Sequence, residues 1–215
     1  MKIDFVSDIA CPWCAVGLYS LEIALGRLDR TVPVQLHFQP FELNPAMPPE
    51  GEDAIAHLSH KYGATPEQLA ETRKTLQQRG AAVGFSFGER TRVWNTFAAH
   101  RLLHWAGLQG RQRELKHALL ISYHALGENP AAPEVLLRCA QEAGLDLQEA
   151  QAVIGSDRYA QDVRERENFY QAHGIRSVPS VIIDDRHLIS GGQPPEVFLE
   201  ALQRLAAEAP PPALP

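Results

Sequence analysis

Cysteine is scarce: three residues in a chain of 215. So small and odd a number is not the disulfide framework of a small secreted domain, and it suits a compartment that keeps thiols reduced. Long apolar runs are also missing, so no segment reaches the roughly 20 residues a bilayer-spanning helix needs. The opening "MKIDFVSDIA" does not resemble an export signal, because Asp4 and Asp8 interrupt any apolar stretch. Positive charge is in deficit, with 20 Lys and Arg against 26 Asp and Glu and a formal net charge of −6. Binding to nucleic acid phosphates calls for the opposite balance. No internal repeat is present. Together these absences lead us to expect a cytoplasmic protein with no nucleic-acid and no membrane partner. The apolar content of 45% is that of an ordinary globular chain, long enough for one substantial domain or a core domain with an insertion.

The pattern along the chain divides it. "KIDFVS" alternates Ile3 and Phe5 with polar neighbours and predicts a strand. The stretch after the first two cysteines, "AVGLYSLEIALGRLDR", carries its apolar residues mostly at helical spacing. "VPVQLHFQPFEL" alternates Val32, Val34, Leu36 and Phe38 until Pro40, predicting a second strand and a parallel βαβ unit. The Pro- and Gly-rich "NPAMPPEGED" then reads as a linker, and from about Asp53 to Asp157 the patterns predict helices only. Thr65 is the expected N-cap of one of them, with Pro66 at its first position. "SDRYAQDVRERENFYQAHG" predicts a further helix, "VIIDDRHLIS" a hairpin and "PPEVFLEALQRLAAEA" a last helix. The expected organisation is a discontinuous domain of residues 1–50 and 158–209, a helical insertion of residues 51–157, and a flexible tail at 210–215. With the insertion set aside, β-α-β followed by α-β-β-α is the element order of a thioredoxin fold, an α/β class.

"DIACPWCAVG" holds the chemistry. On the first turn of a helix Cys11 and Cys14 would have Cα atoms roughly 5 Å apart, from about 1.5 Å rise per residue. That lies within the bridgeable range of about 4.4–6.8 Å. A helix start also offers unpaired N–H groups and the positive end of the dipole to a thiolate. The expected roles are Cys11 as exposed nucleophile and Cys14 as the resolving thiol one turn inside. Pro12 suits an early helical position, and Trp13 supplies an apolar lip for substrate. Two other readings compete. A zinc site needs two more ligands; Cys139 stands alone, and His100 with His104, one helical turn apart, lack an evident third. An inert buried pair leaves the flanking strand and helix without a purpose. Dithiol chemistry, with no metal, is the stronger reading. Val178 and Pro179 in "RSVPSVII" enter a strand, and a cis bond there would leave neighbouring backbone groups free for a peptide.

"CPWC" after the first strand, "PFELNP" after the second, "NTFAAHRL" in the insertion and "SVPSVII…SGGQPPEVFLEAL" near the end resemble the DsbA-like thioredoxin family over nearly the whole chain. The branch they resemble most is that of FrnE-type dithiol oxidoreductases, relatives of 2-hydroxychromene-2-carboxylate isomerases and kappa-class glutathione transferases. The resemblance implies a thioredoxin fold with an all-helical insertion, a Cys11–Cys14 disulfide as redox centre and a cis Pro179 facing it. The isomerase and transferase relatives generally carry serine at the place of Cys11, which favours dithiol exchange here. Trp13 departs from the periplasmic relatives, which carry histidine between the cysteines.

Phe41 and Asn44 fall at the end of the second strand, where ligands gather in open α/β sheets. Asn95 and His100 resemble residues over the active site of this branch; the plainer alternative is a polar pair tying the insertion to the core. Asp8 either orients the cysteine loop, moves a proton or caps the loop. The expected function is therefore thiol–disulfide oxidoreductase chemistry of the protein disulfide isomerase type. Its partners are a thiol- or disulfide-bearing protein or small molecule, in a monomer or homodimer. No cofactor beyond the two sulfurs is required, and glutathione is a candidate substrate or recycling partner. Two alternatives remain. One is a glutathione-dependent isomerase or transferase of small aromatic or polyketide-like substrates, its pocket walled by Trp13, Phe41 and Trp94. The other is a non-enzymatic holdase.

Overall fold

Residues 1–208 are described by a computed structural model; the tail expected at 210–215 lies outside them. In chain order β1 (Lys2–Ser7) leads to α1 (Pro12–Arg27) and β2 (Gln35–Pro40). Then come β3 (Glu52–Asp53), α2 (Ala54–Tyr62), α3 (Pro66–Ala82) and β4 (Arg92–Val93). They are followed by α4 (Phe97–Leu108), α5 (Gln112–His124), α6 (Pro133–Glu142) and α7 (Leu147–Ile154). The chain closes with α8 (Ala160–Ala172), β5 (Ser180–Ile183), β6 (His187–Ser190) and α9 (Pro195–Glu208). The main sheet has the order β2-β1-β5-β6, with β1 parallel to β2 and antiparallel to β5. This is a thioredoxin-like fold with helices inserted between β2 and α8.

The elements form where local chemistry directs them. Thr65 caps α3 in a reciprocal box with Gln68, and Pro66 opens the helix, as the sequence predicts. The hairpin between β5 and β6 turns through Asp184 and Asp185, both at positive φ, a region aspartate tolerates better than most residues. Lys2 pins the turn, its backbone N–H donating to Asp184 and its ammonium to Asp185.

Three expectations need correction. The segment expected to be helical throughout contains β3 and β4, which pair antiparallel over two residues each. Nor is "TRVWNT" part of a helix, as a helices-only pattern would have it: Arg92 and Val93 are strand, and α4 begins after Thr96. The second strand starts at Gln35, not Val32, because Pro33 has no N–H for the ladder that begins with Gln35 donating to Met1.

Alternation in β1 splits the core between the sheet's two faces. Ile3 and Phe5 pack with α1, α9 and the inserted helices in one continuous buried cluster. Val6 packs on the other face with Phe41, Tyr170 and Ile175, under α8. Along the free edge of β2, the Gln112 side chain accepts from the Phe38 N–H and donates to the Phe38 carbonyl, 3.0 Å each.

The start of α1 meets the loop before β5 without a side chain between them. A Cβ on Gly17 would lie 2.9 Å from Pro179 Cγ and 3.3 Å from Gly192 Cα. Gly17→Ala is expected to cost about 1–3 kcal/mol through overpacking, read as a lower urea midpoint. An unchanged midpoint would mean that the loop yields freely.

Candidate active site

Cys11 is the N-cap of α1, with extended backbone (φ −89°, ψ 112°), and Pro12 follows at the first helical positions. Cys11 therefore stands at the boundary of the helix, one residue before its first turn. The Cys14 N–H reaches back to the Cys11 carbonyl at 3.0 Å, keeping the two residues together. No side-chain oxygen caps this helix start, so the end of the dipole is left to the sulfur. Both cysteines are free thiols here.

The two sulfurs differ. A hydrogen bond from Cys14 is the main force holding the Cys11 thiol below its ordinary range, with help from the N–H groups of Cys14 and Trp13. Burial and the charge of Asp8 oppose it. Burial pushes Cys14 well up, and its hydrogen bond to Cys11 adds to the rise. One sulfur thus favours the thiolate while its neighbour keeps a proton to donate. Cys11 is less open than its expected role implies: only 5% of it is exposed, because the loop before β5 covers it. Its sulfur lies 3.5 Å from the Val178 carbonyl, and the Val178–Pro179 bond is cis.

Asp8 sits under this loop, fully buried. Its Oδ1 accepts from the Ala10 N–H (3.0 Å) and the Thr96 hydroxyl (2.7 Å) and lies 3.3 Å from His100 Nε2. Its Oδ2 accepts from the Leu43 N–H at 2.7 Å. One carboxylate thus joins the cysteine loop, the segment after β2 and the start of α4. Burial alone would raise its pKa, but the His100 hydrogen bond and charge, with the Leu43 and Ala10 N–H groups, hold it below the usual range.

The remaining expected residues separate. Trp13 is half-buried beside the cysteines, its backbone carbonyl within 3.0 Å of where a Cβ on Gly192 would stand. His100 lies beneath the loop against Asp8, 3% exposed. Asn95 accepts from the Phe97 N–H at 2.8 Å and thereby starts α4. Asn44 accepts from Lys61 Nζ (2.6 Å) and His57 Nε2 (3.1 Å), anchoring α2. Phe41 is buried and borders a shallow cleft of about 470 Å³ with Gln171, Ile175 and Arg176. A second cleft, along β2, is lined by neither Trp13 nor Trp94. The three aromatics proposed as one pocket therefore do not line these clefts together. His104, the partner of His100 in the metal spacing, stacks on Tyr159 at 5.2 Å. Cys139 is wholly buried, and burial raises its thiol to about 11.

Several residues at the site carry no local signal in the sequence. Arg90 donates to the Ala10 carbonyl (3.0 Å) and Arg79 to the Gly192 carbonyl (2.7 Å), each from far along the chain. Arg79 also lies over the Trp13 ring, 5.9 Å from its centroid. His124 contacts the Ile9 carbonyl at 2.8 Å, and burial holds it neutral with a pKa of about 3. Lys116 did carry a signal. It occupies the core register of α5 with Leu119, Leu120 and Tyr123, where a charge is out of place.

The chain is similar to known proteins over its whole length. A family model described as the DSBA-like thioredoxin domain matches residues 2–203. A solved structure from Streptomyces coelicolor, described as a probable DsbA oxidoreductase, is 34% identical and superposes with a TM-score of 0.89, covering 100% of this chain and 94% of that one. The cytosolic disulfide reductase DsbM of Pseudomonas aeruginosa, solved with GSH, is 16% identical with a TM-score of 0.68 and coverage of 96% and 100%. A 2-hydroxychromene-2-carboxylate isomerase is 14% identical with a TM-score of 0.71 and coverage of 97% of each chain. These last two likenesses are of fold. No curated protein matches the sequence.

Proposed function

The chain belongs to the family of DSBA-like thioredoxin domains, and from that premise we propose that it is a FrnE-type dithiol–disulfide oxidoreductase working through Cys11 and Cys14. The observation that carries this reading is the division of labour between the sulfurs. Cys11 leans toward thiolate at an uncapped helix start, and a buried Cys14 thiol is held against it.

The steps balance. The Cys11 thiolate attacks one sulfur of a substrate disulfide, forming a mixed disulfide and releasing the other sulfur as a thiolate that takes up a proton. Cys14 gives up its proton and attacks Cys11. The intramolecular disulfide forms, and the second substrate thiol leaves with both electrons. Run in reverse, the same steps oxidise a substrate dithiol. Val178 and Pro179 edge the approach to Cys11, and Trp13 offers it an apolar face. Pro12 presets the helix start, while Asn44, Phe41, Asn95 and His100 hold the surrounding segments. The reading extends to a thiol- or disulfide-bearing protein or small molecule as substrate and glutathione as substrate or recycling partner. It also extends to a cytoplasmic setting, supported by the small odd cysteine count. Among the described residues no helix is long and apolar enough to cross a membrane. The presence of both cysteines supports this reading over the isomerase alternative.

Equilibration in glutathione redox buffers, with free thiols counted by mass after alkylation, tests the proposal. The expected result is one transition in which Cys11 and Cys14 lose two protons and two electrons together. Persistence of both as thiols under oxidising buffer would overturn it. The basis of the Cys11 asymmetry has its own check. Cys14→Ala removes the hydrogen bond that contributes most, so the pH midpoint of Cys11 alkylation by iodoacetamide should rise. Cys14→Ser keeps a donor and should restore part of the shift.

A further inference from the structure

A cleft of about 550 Å³ runs along the free edge of β2, between that strand and α4, α5 and α8, and His100 and Lys116, which also face the Asp8 and Cys14 side, line it. Cys11, Trp13, Val178 and Pro179 do not line it. Its volume falls in the range of about 300–1,000 Å³ typical of small-molecule sites. Leu36, Phe38, Leu103 and Leu108 give it apolar walls, and His37 and Arg166 stand at its exposed rim.

The unusual feature is Lys116, which lines the cleft yet is only 1% exposed. A buried ammonium needs a counter-charge or hydrogen-bond acceptors. Among the described residues Lys116 has neither an ion pair nor a side-chain hydrogen bond. The groups that act on it are Cys14, Asp8 and Cys11, and the carboxylate among them is already committed. Asp8 is held by Ala10, Thr96, His100 and Leu43. Glu114, the carboxylate that lines the cleft, pairs with Arg111. Burial lowers Lys116 to about 8, while Cys14, Asp8 and Cys11 on its inner side pull it back up.

We propose that this cleft binds a small organic carboxylate, with Lys116 as its counter-ion and the apolar walls of β2 and α4 holding its body. A single buried cation asks for a single anionic group. The hydrocarbon walls favour a carboxylic acid with a flat apolar body over a bare inorganic anion, and Arg166 at the rim attracts it from solvent.

Sodium benzoate is the probe, with benzyl alcohol as the neutral analogue and inorganic phosphate as the competing anion. Binding is followed by calorimetry and by thermal unfolding of the full chain. Benzoate should bind saturably in the millimolar range or tighter and raise the unfolding temperature, while benzyl alcohol should not. Lys116→Met, similar in length and apolar, should weaken benzoate by about tenfold to a hundredfold, the value of a hydrogen bond to a charged group. The Met variant should itself unfold at a higher temperature than the ligand-free wild type, since a buried unpaired charge is gone. Arg166→Ala, at an exposed position, should weaken benzoate without changing the fold. No benzoate binding to the wild type, equal binding to Lys116→Met, or equal binding of benzyl alcohol would overturn the proposal. So would phosphate displacing benzoate at equal concentration, which would make the site one for phosphate.

Discussion

Cys11→Ser leaves insulin reduction at the uncatalysed rate, a loss of about a thousandfold or more, the scale on which enzymes lose their nucleophile. A hydroxyl in place of the sulfur cannot form the mixed disulfide, and neither remaining cysteine replaces it, since burial raises the thiols of both Cys14 and Cys139. Cys14→Ser fails differently. Cys11 still attacks, but the mixed disulfide is not resolved from within the protein and accumulates. Mass spectrometry after incubation with oxidised glutathione should therefore find the adduct in Cys14→Ser and not in Cys11→Ser. Substantial insulin reduction by Cys11→Ser would remove the proposed mechanism, and a Cys14→Ser variant free of adduct would remove the resolving role of Cys14.

Asp8→Ala is expected to be the most destabilising polar substitution, at about 3–5 kcal/mol, because it removes the charged half of a buried network and leaves its donors facing a void. Asp8→Asn keeps the shape but turns an amide toward one of those donors, and should cost about 1–3 kcal/mol. Urea midpoints measure both. The pH dependence has a fixed sign. Asp8 titrates lower in the folded chain than its ordinary 3.8, so its contribution is present above that value and fades as pH falls through the lowered one. The gap between wild type and Asp8→Asn should therefore be full at neutral pH and shrink in acid. A separate readout touches the thiol. The charge of Asp8 opposes ionisation of Cys11, so Asp8→Asn should move the alkylation midpoint of Cys11 downward, which a purely structural role would not require.

Much of this architecture could be read in advance because it is written locally. The alternation of Ile3 and Phe5, the helical spacing after Cys14, the Pro66 start and the paired aspartates at 184 and 185 each act within a few residues. The element order then followed. The two-residue pairing of β3 with β4 was not legible, since Glu52, Asp53, Arg92 and Val93 make no periodic pattern. At the site, the cysteines and Pro179 could be named from the sequence. Thr96 and Arg90 could not, because what places them is packing across some 80 residues or more. His100 was legible as a residue and not as a contact: its position beneath the loop depends on where α4 is docked. Lys116 differs from these, since a lysine in register with Leu119 and Leu120 was visible in the sequence alone.

The side chain of Gln112 has one more effect. A sheet that ends in an open strand invites a neighbouring molecule to extend it, and repeated extension leads to fibrous or amorphous association. At β2 the central pair of main-chain groups is already taken by an amide of the same molecule. An incoming strand would have to break two hydrogen bonds before making its own, so this border of the sheet discourages aggregation without a barrel closing around it.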